Sequence, residues 1–477
     1  MSTTLDVQDN HFDTLVVGFG KAGKTLAGLL AKDGRRVALI ERDAAMFGGT
    51  CINIGCVPTK TLLHDADLRH ATGSTTDAAA SYAAAIDRKR GLRARMNAAN
   101  LAIVEDPGAL VFVAHATFVG ERTVELVAGD ERLTLTAEHV VIGTGATPRL
   151  PEVPGLPDGP LSDPRILTST ELIDTERLPR RLAVLGAGFI ALELANLYRE
   201  FGSEVTVLNR GPRLLKGDDP ETADAVARLL TDTGVRFLHD TALTRVDVPA
   251  EASAPLTLHV TTGGTEQALE ADALLLSVGR VPNVEGLGLD QAGVEVREGA
   301  IVVDDFLRTT AENVWAVGDV NGGPQHTYIS YDDHRIVADQ LLHGRGEGGR
   351  SLADRGHVPT TTFITPPLSR VGLSAGQARA LASERGWDVA VARQDVADIA
   401  VMPRPKAMND PRGFIQVVVD RTSGQVLGAT LLCIDSQELV NLIALAMNHG
   451  IGHAALRDAI YTHPSSTEAL NAVLGLV

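Results

Sequence analysis

Short apolar runs alternate with stretches of helical spacing along most of the chain, a pattern typical of an α/β protein. The apolar runs at 15–17 and 37–41 predict two strands that flank a helix. Residues 73–100 have helical spacing, whereas residues 110–147 alternate apolar and polar positions as strands do. After residue 351, strand-like runs alternate with two helical stretches, at 435–450 and 465–475, which predicts a separate α+β domain.

A glycine-rich turn joins the first predicted strand to the first predicted helix. Gly18, Gly20 and Gly23 have GxGxxG spacing, and Glu41 ends the second predicted strand, 21 residues after Gly20. Glycines in this pattern let the backbone approach a pyrophosphate at a helix N-terminus, and the terminal acid binds a ribose hydroxyl. The complete βαβ unit predicts a dinucleotide site, with a simple glycine-rich turn as the alternative.

A second unit of this kind carries Gly186, Gly188 and Ala191 at the three small-residue positions. Asn209 stands where the first unit has its acid, and Arg210 and Arg213 follow it. The missing carboxylate removes a repulsion against a 2′-phosphate, which a guanidinium group binds well. We therefore expect NADPH to be favoured over NADH; the alternative is that Arg210 and Arg213 are only solvated surface charges.

Two cysteines, Cys51 and Cys56, lie in the segment GGTCINIGCVPTK. On one continuous helix they would point about 140° apart, so at least one must precede the helix if they are to form a disulfide. Pro58 suits a first helical turn and places Cys56 at a helix N-terminus, where a thiolate is stabilised. The pair predicts a redox-active disulfide; two buried thiols, or half of a metal site, are the alternatives.

His463 and Glu468, in THPSSTEALN, are a candidate imidazole–carboxylate pair. Such an imidazole moves a proton while the carboxylate fixes its tautomer. A surface pair is the alternative, because the chain has 14 histidines and spacing alone does not choose among them.

Other side chains with metal-binding or thiol chemistry carry less weight. A copper site formed by Cys51 with His64, Asp65 and Asp67 is a weaker interpretation than an ordinary helix surface, so no metal centre is predicted. Cys433 lies in an apolar strand and is expected to be an inert core thiol.

Composition narrows the functional class. The chain has 477 residues, enough for about three domains. A net charge of −17 disfavours nucleic-acid and membrane-surface roles, because such a surface repels phosphates and anionic lipids. No apolar run reaches the roughly 18–20 residues of a membrane helix, and the first ten residues lack a secretory pattern. We therefore expect a cytoplasmic protein, and three cysteines exclude a disulfide scaffold.

Together these segments resemble the FAD-dependent pyridine nucleotide–disulfide oxidoreductases of the glutathione reductase and dihydrolipoamide dehydrogenase type. The likeness covers nearly the whole chain after residue 11, and GGTCINIGCVPTK is its most specific motif. It implies FAD at the first fingerprint, NADPH or NADH at the second, and a homodimer. The implied fold is α/β, with two Rossmann-like dinucleotide-binding domains and a C-terminal α+β dimerisation domain. The expected segments are a tail (1–11), an FAD-binding domain (12–152), an NAD(P)-binding domain (153–278), a returning FAD-domain segment (279–350) and a dimerisation domain (351–477).

The resemblance also implies roles for individual residues. Cys51 corresponds to the interchange thiol that meets the substrate, and Cys56 to the charge-transfer thiol against the flavin. Lys60 corresponds to a lysine near the flavin N5 atom, and Glu193 to its carboxylate partner. Asp319 corresponds to the acid that binds the ribityl and phosphate region.

In this family the acid–base pair that corresponds to His463 and Glu468 acts across the dimer interface. Phe189 stands where many members have a tyrosine that covers the nicotinamide pocket. The remaining implied cofactor-binding positions are Gly49, Thr50, Thr144, Gly145, Arg280 and Thr327.

Within the family, GFGKAGKTLA, TPPLSRVG and LLCIDSQE look like the reactive-chlorine-resistance flavoproteins. This likeness implies oxidant defence, with a small-molecule oxidant or disulfide as acceptor, hypothiocyanous acid and Cu(II) among them. Dihydrolipoamide dehydrogenase and glutathione reductase are alternatives. Mercuric reductase and high-molecular-weight thioredoxin reductase are less favoured, because their C-terminal cysteine pair has no counterpart here. A non-catalytic flavin scaffold would have no need for both the cysteine pair and the His463–Glu468 pair.

Overall fold

The computed structural model describes residues 7, 9–71, 77–156, 161 and 163–477. The chain divides into two compact units that are each discontinuous in sequence. The first unit comprises Met1–Leu62, Ala84–Arg149 and Gly279–Arg355, and the second comprises Leu63–Ala83, Leu150–Val278 and Gly356–Val477.

A seven-stranded sheet forms the centre of the first unit. Six strands follow one another in the order Leu110–Val113, Val37–Glu41, His11–Val17, Glu131–Ile142, Thr123–Ala128 and His115–Gly120, and Val314–Ala316 also pairs with Glu131–Ile142. The first four of this order pair in parallel, as a Rossmann-like sheet does, and the last two extend it antiparallel. The unit's short strands are Ala146–Pro148, Arg280–Pro282, Val296–Arg297 and Ala300–Ile301.

The central strands are apolar at successive positions because helices and loops cover both faces of the sheet. Leu15 and Val17 belong to one apolar cluster and Val16 to another, as the alternation of side chains across a strand requires. The helices with residues in this unit are Lys21–Lys32, Thr50–Asn53, Cys56–Ala71, Ala78–Glu105 and Thr327–Leu341, of which Cys56–Ala71 and Ala78–Glu105 also have residues in the second unit.

The second unit contains three sheets. A parallel sheet has the strand order Arg236–Leu238, Glu204–Leu208, Arg181–Leu185, Ala273–Leu276 and Ile166–Leu167. An antiparallel sheet consists of Thr241–Asp247, Leu256–Thr262 and Thr265–Ala271. The C-terminal antiparallel sheet has the order Thr360–Thr362, Leu368–Gly372, Val426–Leu432, Phe414–Asp420 and Val389–Asp395. The other helices of the unit are Ser169–Leu172, Phe189–Phe201, Pro220–Asp232, Ala375–Arg385, Pro403–Ala407, Ser436–Asn448, His453–Asp458 and Ala469–Val473.

These sheets confirm the predicted fold class, and the differences from the sequence pattern are local. The helix expected at 465–475 is confined to Ala469–Val473 and a 3₁₀ turn, because Glu468 accepts a hydrogen bond from the Ser465 backbone and forms a turn before it. His11 already belongs to the first strand rather than to a tail. Residues 1–6, 8, 72–76, 157–160 and 162 lie outside the described residues, so most of the tail, the start of the helix expected at 73–100 and part of the linker expected at 148–160 are not described.

The positions of the domain boundaries stay a prediction. Across the part of the chain that the structure describes, every helix falls short of the length or the apolar character that crossing a membrane requires.

Candidate active site

The first glycine fingerprint forms a tight turn between the strand His11–Val17 and the helix Lys21–Lys32. Gly18 has a φ of 108°, and a Cβ atom there would lie 2.3 Å from the carbonyl oxygen of Gly143. Gly20 has no side chain to cap the helix, which leaves room for an anion at the helix N-terminus. The turn therefore fits the pyrophosphate of a dinucleotide.

The third fingerprint glycine and the terminal acid stabilise this turn. A Cβ atom on Gly23 would lie 2.4 Å from the carbonyl oxygen of Gly18, so only glycine lets the helix approach. Glu41 accepts hydrogen bonds from the backbone N–H groups of Phe19 at 3.0 Å and Arg42 at 2.9 Å. Burial raises the pKa of the Glu41 carboxyl, and these N–H donors oppose the shift. Glu41 thus lies beside the turn, while its contact with a ribose stays a prediction.

Thr144 and Gly145 follow the strand Glu131–Ile142. The Thr144 hydroxyl donates to the carbonyl oxygen of Asn283 at 2.8 Å, and the Asn283 amide donates to the carbonyl oxygen of Thr144 at 2.9 Å. Gly145 has a φ of 71°, a conformation that favours glycine. These bonds join the predicted cofactor-binding pair to the chain that follows Arg280–Pro282.

Arg280 and Asp319 are half-buried groups of opposite charge in the same unit. The Arg280 guanidinium donates to the carbonyl oxygen of Ala146. Burial lowers the pKa of Arg280, whereas the charges of Asp319 and Cys56 act against that shift. Burial raises the pKa of the Asp319 carboxyl, and Arg280 opposes the change. Arg280 therefore lies close enough to both Asp319 and Cys56 to interact electrostatically with each.

The two cysteines of the redox motif lie on separate helices. Cys51 belongs to the short helix Thr50–Asn53, and Cys56 begins the helix Cys56–Ala71, which we call the redox helix. Cys51 is half-buried and Cys56 is exposed. The break between the helices brings Cys51 within hydrogen-bonding distance of Cys56. The prediction that Cys56 lies at a helix N-terminus is confirmed.

The sulfur atoms differ in their electrostatic surroundings. The hydrogen bond to Cys56, then burial and the charge on Cys56, raise the pKa of the Cys51 thiol. Burial and, after it, the charge on Cys56 raise the pKa of Tyr328 to about 12. The Cys56 sulfur lies 3.6 Å from the hydroxyl oxygen of Thr327. In the reduced pair Cys56 therefore carries the negative charge while Cys51 keeps its proton.

The loop that leads into Cys51 packs against the first fingerprint. A Cβ atom on Gly49 would lie 2.6 Å from the Cα atom of Gly20, and Gly49 has a φ of 76°. The Asn53 side chain donates to the carbonyl oxygens of Phe47 and Gly49, both at 3.0 Å. Thr50, the first residue of the short helix, therefore follows a rigid turn beside the dinucleotide fingerprint.

The second fingerprint repeats these features in the second unit. Gly186 has a φ of 113°, and a Cβ atom there would lie 2.2 Å from the carbonyl oxygen of Ser277. A Cβ atom on Gly188 would meet no described atom within 4 Å, which leaves space at the N-terminus of the helix Phe189–Phe201. Ala191 is fully buried on that helix. This turn also fits a pyrophosphate.

Two further residues with predicted roles near the bound cofactors, Phe189 and Glu193, lie on the helix Phe189–Phe201. Phe189, its first residue, is 44% exposed. Glu193 is buried and accepts a hydrogen bond from the Phe363 backbone at 2.8 Å. Lys60 lies one turn after Cys56 on the redox helix. The pairing of Lys60 with Glu193 stays a prediction.

Asn209 has a structural role that sequence analysis missed. Its side-chain amide donates to the carbonyl oxygens of Gly211 and Arg213, both at 2.9 Å, and contacts the His239 ring at 3.1 Å. These bonds hold the turn that carries Arg210, which is exposed. Neighbouring Arg213 is instead engaged in an ion pair at 3.2 Å with Asp224 on the following helix. Arg210 is therefore the better placed of the two guanidinium groups for a phosphate.

The predicted imidazole–carboxylate pair is present. The Nδ1 atom of His463 lies 2.9 Å from a carboxylate oxygen of Glu468, and the Ser465 backbone donates to the other oxygen at 2.8 Å. The Ser465 bond, followed by the His463 bond, lowers the pKa of Glu468. Because a carboxylate only accepts, the His463 proton lies on Nδ1 and the Nε2 atom can exchange a proton.

The weaker thiol and metal candidates are also placed by the structure. Cys433 is fully buried in the C-terminal core and burial raises its pKa, as expected of an inert thiol. Asp67 accepts a hydrogen bond from the Thr365 hydroxyl at 2.8 Å. Across the described ranges, no cluster of three or more His, Cys, Asp and Glu side chains could hold a metal ion.

Known proteins resemble this chain over nearly its whole length. Residues 12–333 match the family profile described as pyridine nucleotide-disulphide oxidoreductase, and residues 358–473 match the dimerisation domain of the same family. The probable pyridine nucleotide-disulfide oxidoreductase RclA of Escherichia coli (strain K12) is 42% identical over 470 residues, which cover 98% of this chain and 100% of the relative.

More distant relatives have other activities. A mercuric reductase from Staphylococcus aureus is 31% identical over 97% of this chain and 82% of its own. A dihydrolipoyl dehydrogenase from Mycobacterium bovis is 31% identical over 96% of this chain and 97% of its own.

A solved structure matches over the same extent. The Cu(II) complex of the HOCl-induced flavoprotein disulfide reductase RclA from Escherichia coli has a TM-score of 0.89 to this chain, with 41% identity and coverage of 98% and 100%. The chain therefore belongs to the pyridine nucleotide–disulfide oxidoreductases, FAD-dependent enzymes that use NAD(P)H and form homodimers through their C-terminal domain.

Proposed function

We propose that this enzyme passes two electrons from NADPH to the Cys51–Cys56 disulfide and then to a small oxidant, with hypothiocyanous acid as the first acceptor to test. The hydrogen bond between the two cysteines carries the proposal, because it gives one sulfur the charge and the other the proton. The Escherichia coli relative is described as HOCl-induced, which supports a role in oxidant defence.

The residues of the first unit fit FAD. Gly18 and Gly20 would place the helix N-terminus at the pyrophosphate, and Glu41 would bind the adenosine ribose. Asp319 and Arg280 would lie toward the ribityl and phosphate region. FAD, when bound, supplies the two-electron chemistry that reduces the disulfide with electrons from NADPH.

The reduced cysteines can complete the reaction without another cofactor. The partner subunit's His463 takes the Cys51 proton, and the Cys51 sulfur attacks the sulfur of hypothiocyanous acid. An S–S bond forms, the S–O bond breaks, and the departing hydroxide receives the proton to leave as water. The Cys56 thiolate then attacks the Cys51 sulfur, so that thiocyanate leaves and the disulfide is restored. Two electrons have passed from the thiols to the acceptor.

Histidine geometry supports the proton transfer. Glu468 holds the Nδ1 proton of His463, so the Nε2 atom is the one that accepts and returns the thiol proton. Because the pKa of Glu468 is lowered, its carboxylate stays ionised and orients the ring through the neutral pH range.

The choice of NADPH rests on the loop at the end of the strand Glu204–Leu208. Asn209 places no negative charge near a 2′-phosphate, and exposed Arg210 supplies a positive one. Arg213 contributes less because Asp224 already pairs with it.

The purified holoenzyme tests the acceptor directly. NADPH oxidation is measured with hypothiocyanous acid and with lipoamide at one enzyme concentration, beside the Cys51→Ser variant as the inactive control. Fast, Cys51-dependent turnover with hypothiocyanous acid alone is the expected result. Fast turnover with lipoamide alone would make the enzyme a dihydrolipoamide dehydrogenase and end the proposal.

A further inference from the structure

Lys24, on the first fingerprint helix, is a lysine almost entirely removed from solvent. Lys24 is 3% exposed. Its ammonium group donates one hydrogen bond to the side-chain oxygen of Asn100 and another, at 3.5 Å, to the carbonyl oxygen of Gly48. Both acceptors are neutral oxygen atoms, whereas buried lysines are normally paired with a carboxylate. A buried ammonium of this kind has an energetic cost that calls for an explanation.

The ammonium group is hydrogen-bonded to the loop that leads into the helix of Cys51, residues 47–49, which we call the redox loop. Gly48 lies three residues before Cys51, and Asn100 is fixed on its own helix because its amide donates to the carbonyl oxygen of Met96 at 2.7 Å. Lys24 therefore cannot swing away from the redox loop without breaking both hydrogen bonds.

The charged and titratable groups that act on Lys24 are Lys21, on the same helix, and Cys51, on the short helix after the redox loop. The pKa of Lys24 is lowered to about 8, first by burial and then by the charge of Lys21, whereas negative charge on Cys51 opposes the shift. The effect is mutual, since Lys24 lowers the pKa of Cys51. Its two hydrogen-bond acceptors, on Gly48 and Asn100, are uncharged.

We propose that Lys24 is a positioning residue for the redox pair: its ammonium, anchored on Gly48 and Asn100, stabilises the Cys51 thiolate that attacks the acceptor. A nearby positive charge is needed because the negative charge on Cys56 opposes loss of the proton from Cys51. The positive charge of Lys24, which acts on Cys51, offsets that opposition. This inference rests on the proposed role of Cys51 as the attacking thiol.

Alkylation of Cys51 measures this effect without turnover. The holoenzyme is reduced with NADPH under anaerobic conditions and treated with limiting iodoacetamide between pH 6 and 9.5, and Cys51, Cys56 and Cys433 peptides are quantified by mass spectrometry. Lys24→Gln keeps a hydrogen-bond donor without the charge, Lys24→Met removes both, and Lys24→Arg keeps the charge.

Loss of the charge should slow Cys51 alkylation at pH 7 by about tenfold, the equivalent of one unit in the pKa of Cys51. We expect this slowing in Lys24→Gln and Lys24→Met, whereas Lys24→Arg should react much more like the wild type. If Lys24→Gln alkylates at the wild-type rate, Lys24 serves only as a hydrogen-bond donor and the inference is overturned.

A second variant keeps the inference testable if the Lys24 variants do not fold. Asn100→Asp places a carboxylate against the ammonium and should slow Cys51 alkylation several-fold by neutralising its field, whereas Asn100→Leu retains the positive charge and should not. Equal rates in these two variants would also overturn the inference. If Cys51 alkylation slows in the Lys24 variants but the wild-type enzyme does not turn over hypothiocyanous acid, only the proposed acceptor is refuted. If Cys51 alkylation is unchanged in these variants and the wild-type enzyme turns over hypothiocyanous acid, only the role of Lys24 is refuted.

Discussion

At the scale of single residues, the chemistry depends on which atoms are left available for proton transfer. The Nδ1 atom of His463 is held by Glu468, and Glu468 is itself held by the Ser465 backbone. The imidazole thus has a fixed tautomer and a free Nε2 atom, the arrangement of a general acid–base.

Replacing His463 tests that function. His463→Ala should lower turnover with hypothiocyanous acid by about 10²–10⁴-fold, the range typical for loss of a general acid–base, with the bound flavin retained. Steady-state kinetics with NADPH measures the loss. His453→Ala is a matched control, because His453 lies in the same C-terminal domain and its Nδ1 atom contacts a backbone oxygen, that of Gly424, rather than a carboxylate. A threefold or smaller loss in His463→Ala would show that the pair is a surface contact.

Arg210 tests the nucleotide preference. Arg210→Glu should raise the KM for NADPH far more than the KM for NADH, because the introduced carboxylate repels the 2′-phosphate that only NADPH carries. The control is Arg213→Gln, whose guanidinium is already paired with Asp224. Equal increases of both KM values in Arg210→Glu would refute the NADPH assignment.

At the scale of elements, the redox helix combines a reactive N-terminus with a half-buried acid, Asp67, near its other end. The pKa of Asp67 is raised to about 6, chiefly by burial and to a smaller extent by the charge of Glu200, although the hydrogen bond from the Thr365 hydroxyl opposes the rise. A carboxyl with a raised pKa favours folding while protonated. Its contribution is fully present below the pKa of the unfolded chain and is lost as the pH rises through about 6.

Asp67→Asn should therefore stabilise the protein above pH 6. Asn keeps the acceptor for Thr365 without the buried charge, and the gain in free energy of unfolding should be about 2 kcal/mol at pH 8. Thermal denaturation between pH 4 and pH 8 measures it, with exposed Asp87→Asn as control. The gain should shrink as the pH falls from 6 to 4, and a gain independent of pH would contradict the burial of this charge.

Local spacing predicts the elements that carry the chemistry but not the contacts between distant segments. The GxGxxG turn, the buried strand that ends in Glu41 and the helix that starts at Cys56 each follow from a short stretch of sequence. Thr327 and Cys56, by contrast, meet across 271 residues. Sequence spacing had no means of showing that Asn209 stabilises its own turn.

The burial of Lys24 is another contact between distant segments that local spacing does not predict. Helical periodicity places it one turn from Gly20, but its burial is set by Asn100, 76 residues later in the sequence. The resemblance, which matches whole segments, predicted the His463–Glu468 pair, whereas spacing alone left it open against other histidines. Roles for the cofactor-binding residues remain predictions that ligand-bound measurements must test.

At the scale of the whole molecule, the family match includes a dimerisation domain over residues 358–473. Apolar side chains exposed in this region include Leu445, Ile451 and Ile460, the last of which is fully exposed in the isolated chain. Exposed large apolar side chains favour burial against another surface. Ile460 lies three residues before His463, so an interface there would also position the imidazole.

Ile460→Asp should weaken the dimer and reduce turnover together, because a buried charge opposes association and the partner subunit's His463 is then lost from the site. Sedimentation velocity and steady-state assays over the same concentration range measure both effects. Val296→Asp, at an exposed apolar position of the first unit, is the control. A monomeric variant with full turnover would contradict proton transfer across the interface.

The most direct test of the central claim is a single turnover followed by counting of thiols. The holoenzyme is reduced with one equivalent of NADPH under anaerobic conditions, mixed with one equivalent of hypothiocyanous acid, and alkylated before peptide analysis. The account predicts that Cys51 and Cys56 lose their free thiols together as a disulfide while Cys433 keeps its thiol, and that in Cys56→Ser only Cys51 is modified. Consumption of the acceptor with both Cys51 and Cys56 still alkylated would contradict it.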